Sequence, residues 1–131
     1  VFKKIIFRGV LKMDEQEQRA AIMEFEKNRQ ILGNISAQKQ QVSFQLEMLK
    51  SSLEEMSKNK EKNVYKVVGN VLFLKDAKEM KEELEERRES TDLRLKTIEK
   101  QEESIIKKLN SLKTKIEGAA KEEEEKKKAK N

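Results

Sequence analysis

The chain contains neither cysteine nor histidine. That removes disulfide frameworks, thiolate metal sites, cysteine nucleophiles, His-based triads and the H-E-x-x-H zinc motif. Its four glycines, at 9, 33, 69 and 118, are too scattered for a phosphate-cradling loop. Carboxylates are abundant, but they lie on a dense charged background and no spacing marks out a desolvated pair. No enzymatic activity is expected, and no cofactor or metal. The chemistry left to this sequence is non-covalent, and it concentrates in VYKVVGNVLFLK, residues 64–75. Two runs rich in β-branched and aromatic residues flank Gly69-Asn70, a two-residue linker suited to the primed turns of tight hairpins. Such a hairpin offers unpaired backbone donors and acceptors along two edges, and an apolar surface beside them.

The segments around this hairpin must position it, and they are written in a different period. Of the 131 residues 42% are charged, 35% hydrophobic and 5% aromatic, and none is proline. This composition supports a narrow seam between helices rather than a thick core. Residues 14 to about 58 read as a first helix, opened by the capping pattern Asp14-x-x-Glu17. A 4/3 register runs along it through Phe25, Asn28, Leu32, Ile35, Lys39, Val42, Leu46, Leu49, Leu53 and Met56. The seam is fully apolar from Val42 onward, whereas Asn28, Lys39 and the Gly33-Asn34 pair weaken its earlier half. Residues 57–63, SKNKEKN, are a polar break.

A second helix is expected from Asp76, with Asp76-x-x-Glu79 as its cap. Its register runs through Ala77, Lys81, Leu84, Arg88, Thr91, Leu95, Ile98, Glu102, Ile105, Leu109, Leu112, Ile116 and Ala119, the spacing of a left-handed coiled coil. Each helix is about forty residues, roughly 60 Å at 1.5 Å per residue. The hairpin between them requires that their apolar stripes pair antiparallel. The fold class expected is mainly α: a long antiparallel two-helix coiled coil joined by one β-hairpin.

One domain is expected, flanked by two short segments. Residues 1–12, VFKKIIFRGVLK, form a basic and apolar block too short to span a bilayer. It reads as an extension upstream of a start at Met13, with a targeting segment as the alternative. Residues 13–120 hold the coiled coil and hairpin. Residues 121–131, KEEEEKKKAKN, read as a charged disordered tail.

The net charge of +5 does not indicate nucleic-acid binding. The 30 basic and 25 acidic residues are interspersed, and without the four basic residues of the first twelve the net charge is +1. A mixed-sign surface is a solvated helix face, and five phenylalanines and one tyrosine give little for base stacking. Neither nucleic acid nor membrane is expected as a partner.

An isolated two-stranded hairpin is marginal in water, and an apolar one with open edges is an aggregation hazard. A narrow coiled coil has little surface with which to cover it. Pairing with hairpins of other chains would remove the edges, so the hairpin reads as an assembly module. The plainer alternative is that it folds back on its own helices.

Taken together, helix, hairpin and second helix resemble prefoldin, in particular its β-type subunit, as in the archaeal β subunit or the eukaryotic subunit 6. The likeness rests on Val64-Tyr65-Lys66-Val67-Val68-Gly69-Asn70-Val71-Leu72 and on Arg94-Leu95-x-x-Ile98-Glu99-x-Gln101-Glu102, and covers roughly residues 16–118. Asn70 stands where the family usually has a small residue or proline. The resemblance implies a cytoplasmic hetero-hexamer of two α-type and four β-type subunits. Their hairpins would build a β-barrel base from which coiled coils project. It implies an ATP-independent holdase that captures unfolded proteins at the coiled-coil tips and passes them to a group II chaperonin.

The assembly residues on this reading are Val64, Tyr65, Val67, Val68, Gly69, Val71, Leu72, Phe73 and Leu74. The client-binding candidates are Ile22, Met23 and Phe25, with Leu112, Ile116 and Ala119 across from them. Ile22 and Met23 are favoured over Phe25, since methionine suits a surface that accepts many partners. The competing reading of the whole set is that these residues close the last turns of the coiled coil. The rival to the whole function is a coiled-coil tether that oligomerises through the hairpin and binds no clients.

Overall fold

The structure, a computed structural model, describes residues 14–130. Four elements follow in order: helix α1 (Glu15–Lys58), strand β1 (Asn63–Val68), strand β2 (Val71–Asp76) and helix α2 (Ala77–Lys130). The expected N-terminal block, residues 1–12, lies outside the described residues.

Both helices start where the capping pattern places them. The Asp14 carboxylate accepts the backbone N–H of Glu17 at 2.7 Å. Asp76 does the same for Glu79 at 3.1 Å. Each satisfies a donor that the first helical turn leaves without a partner. At its C-terminus α1 tightens, with the Asn59 N–H reaching the Met56 carbonyl at 3.2 Å. Asn59 then turns the chain by accepting the N–H of Glu61 at 2.9 Å.

The chain divides into two compact units. One holds Ser36–Lys100: the later part of α1, the hairpin and the earlier part of α2. Val42, Leu46, Leu84 and Ile98 are its buried apolar residues. Leu49, Leu53 and Met56 on α1, and Arg88, Thr91 and Leu95 on α2, are half-buried at the expected seam positions. One position of the register is corrected. Lys81 is exposed, and Met80 takes its place against the seam. An apolar side chain gains about 0.8 kcal/mol for each methylene it removes from water, while an ammonium must stay wet.

The other unit holds the described residues up to Ile35 and those from Gln101 on. Ala21, Leu109, Leu112 and Ala119 are buried in it, together with Asn28. Asn28 keeps its amide satisfied by donating to the Glu24 carbonyl one turn back, at 2.9 Å. The Gln18 amide donates to Glu123 at 3.3 Å, so the start of α1 lies beside the end of α2. This bond falls in the segment expected to be a disordered tail, where α2 instead continues to Lys130. Glu122, Glu123 and Glu124 each precede a lysine by four residues, a spacing that supports helix in a strongly charged segment.

β1 and β2 pair antiparallel, from Asn63↔Asp76 at the base to Val68↔Val71 beside the turn. Gly69 has φ of 60° and Asn70 keeps a negative φ. A positive φ at the first central residue alone is the type II′ pattern, whose twist matches that of the strands.

Candidate functional site

The hairpin register divides its side chains between two faces, since successive residues of a strand point to opposite sides. Val64, Lys66, Val68, Val71, Phe73 and Lys75 share one face; Tyr65, Val67, Leu72 and Leu74 share the other, with Asn63 and Asp76. The first face is engaged by the chain itself toward its base only; nearer the turn Val68, Val71 and Phe73 are 51–52% exposed. Lys66 and Lys75 each bring an ammonium to 2.6 Å from Glu83 of α2, and Val64 is half-buried. The second face is bare: Tyr65 is 68% exposed, Val67 67%, Leu72 62% and Leu74 61%.

The same parity decides where the backbone is free. The Ala77 N–H donates to the Lys62 carbonyl at 2.8 Å, just below the base pair of the hairpin. Bonded pairs in an antiparallel ladder recur at every second residue. They therefore fall at Val64↔Lys75, Lys66↔Phe73 and Val68↔Val71, and the N–H and C=O groups of Tyr65, Val67, Leu72 and Leu74 point outward. The bare face and both open edges thus belong to the same four residues. Monomeric proteins normally cover such a combination. All nine residues expected to serve assembly lie in this hairpin, and each apart from Val64 is exposed.

Sequence reasoning missed Glu83. Hydrogen bonds from Lys66 and then Lys75 hold its carboxyl down, from 4.5 to about 2, against the opposing effect of partial burial. Arg87, one turn on, adds a third cation at 3.1 Å. The signal available was Lys66 and Lys75 themselves, the only charged residues in the two apolar arms.

The client-facing set divides. Ile22 and Met23 are exposed, Met23 by 73%, and Phe25 is half-buried at its seam position. Leu112 and Ala119 are only 8% and 4% exposed, so their expected client contact is corrected to a place in the core; Ile116 is half-buried. In a two-helix layer the seam needs these side chains to exclude water. Phe44, Met48 and Leu93, which the sequence reading did not single out, are exposed on the unit that carries the hairpin.

Comparison with known proteins bears on this arrangement. The family model described as "Prefoldin subunit" matches residues 19–123. The chain belongs to the prefoldin family. A prefoldin subunit beta from Saccharolobus islandicus is 33% identical over 101 residues, covering 76% of this chain and 80% of that protein. One from Thermococcus onnurineus is 36% identical over 102 residues, covering 77% and 88%. The crystal structure of the prefoldin beta subunit from Thermococcus strain KS-1 aligns with a TM-score of 0.74 at 29% identity, covering 83% of this chain and 96% of that one. The likeness is to β-type prefoldin subunits, with two long helices and the single hairpin that the sequence led us to expect. Among the described residues, no helix is long and apolar enough to cross a membrane.

Proposed function

We propose that this chain is the β-type subunit of a cytoplasmic prefoldin hexamer, two α-type and four β-type subunits joined through their hairpins into a β-barrel base. The complex is an ATP-independent holdase that captures unfolded proteins and passes them to a group II chaperonin. The observation that carries this reading is the hairpin, whose open edges and bare apolar face coincide on Tyr65, Val67, Leu72 and Leu74. Edge-to-edge pairing satisfies those backbone groups and buries that face in one step. Client capture is assigned to Ile22 and Met23, the exposed apolar pair near the start of α1.

The test is native mass spectrometry of the complex drawn from the source lysate with this chain, followed by aggregation suppression of an unrelated denatured protein. A six-subunit complex holding a second, two-hairpin chain, and suppression without ATP, is the expected result. A monomer or simple dimer would overturn the assembly. A hexamer that suppresses nothing would leave a tether.

A further inference from the structure

Lys66 and Lys75 sit on the same face of the hairpin, in the pairs Lys66↔Phe73 and Val64↔Lys75. They are diagonal neighbours, a separation of about 7–8 Å between backbones in such a ribbon. Two ammonium groups so placed repel unless an anion lies between them. Glu83 is that anion. Its Oε1 accepts from Lys66 and its Oε2 from Lys75, each at 2.6 Å, and Arg87 reaches Oε1 at 3.1 Å. One carboxylate therefore joins β1, β2 and α2. Glu86 is the other acid beside it, in the wall of a groove shared with Gln45, Leu49, Ser90 and Thr91.

The remaining polar ties between strands and helix all lie at the hairpin base. They are the Asp76 cap and the backbone bond from Ala77 to Lys62. Among the described residues, no other hydrogen bond or ion pair joins the two. Attachment at the base alone leaves the ribbon free to rock about that line. The contact at Lys66, four residues further along, removes that freedom.

We infer that Glu83 is a positioning residue for assembly. It seats the lysine face of the hairpin on α2, so that the opposite face and both strand edges meet neighbouring subunits at a set angle. This rests on the reading of the hairpin as the assembly element. Without the clamp each subunit must immobilise its own ribbon as it binds, and that ordering cost falls on the association constant.

The absence of cysteine allows a direct test. Nitroxide labels on Asn70→Cys and Glu89→Cys report the hairpin's position over α2 by pulsed EPR, in the isolated chain. A narrow distance distribution is expected, broadened by Glu83→Gln with helix content unchanged by circular dichroism. Equal widths for the two would overturn the inference. In a titration with the α-type subunit, E83Q should raise the half-assembly concentration by roughly 1.5-fold to fivefold, the range of a partly exposed ion pair. Equal assembly of the two chains would also overturn it. Broadening by E83Q, in a chain that never joins a complex, would retain the clamp and refute the hairpin as the assembly element.

Discussion

Lys75 is the penultimate residue of β2 and Glu83 lies eight residues later in α2, and their charged atoms meet at 2.6 Å. The chain reverses between them through the Asp76 cap, so the end of the hairpin is folded onto the helix it leads into. Together with Lys66, this contact holds the Glu83 carboxyl at about 2.

A pH dependence follows, and its direction is set by that depression. A carboxyl held below its ordinary value favours the docked hairpin fully above pH 4.5, and the preference is lost as pH falls through about 2. Carbon-detected NMR titration of Glu83 should show a midpoint near 2 and the label distances should broaden over the same interval. A midpoint near 4.5 would mean the clamp is not formed in solution.

The edges can be tested one at a time with proline. At Val67 or Leu72 the N–H points outward, so proline removes no bond within the hairpin but blocks pairing with a neighbour. Val67→Pro and Leu72→Pro should each prevent hexamer formation on native mass spectrometry, with the β1–β2 ladder retained in amide exchange. Lys66→Pro removes a ladder bond and should lose the hairpin itself. Hexamers from the first two variants would show that the edges are not used.

Gly69 is the one described residue with a positive φ. Gly69→Val requires a β-branched side chain in a conformation that costs about 1–2 kcal/mol or more. Faster amide exchange in both strands and weaker assembly are expected. Asn70→Gly should change neither appreciably.

Gly33 offers the opposite outcome. It lies inside α1, and a Cβ built on it meets nothing within 4 Å. Gly33→Ala should stabilise the helix by up to about 1 kcal/mol, read as a higher melting temperature. A lower melting temperature would show that this turn of α1 is not helical in solution.

The exposed and buried members of the client-facing set should separate cleanly. Ile22→Ser with Met23→Ser should weaken aggregation suppression and leave melting and complex mass unchanged. Leu112→Ala removes a buried seam side chain and should cost about 2–5 kcal/mol. If the serine pair melts early, those residues belong to the core.

The fold was legible in the sequence because coiled coils and tight hairpins are specified locally. Seam positions recur at three and four, Asp14 and Asp76 carry their capping glutamates three residues on, and Gly69-Asn70 marks the turn. All these signals lie within a few residues of one another. The charged tail was misread on composition alone: a polar segment lacks the apolar pattern that announces a helix, although its Glu-to-Lys spacing is compatible with one, and the bond from Gln18 to Glu123 comes from far along the chain.

What the sequence by itself determined is the period of each element, where each helix starts and where the hairpin turns, and the family to which the chain belongs. The tertiary structure decided which face of the hairpin is spent on its own helix and which is left bare. It also placed Met80 rather than Lys81 on the seam and buried Leu112 and Ala119 while leaving Met23 outside. Lys66 and Lys75 ask for a carboxylate, but Glu79, Glu82, Glu83, Glu85 and Glu86 are all candidates by composition. Only the rotation of α2 about its own axis brings Glu83 to both lysines, and that angle is set by packing against the seam rather than by any neighbour in the chain.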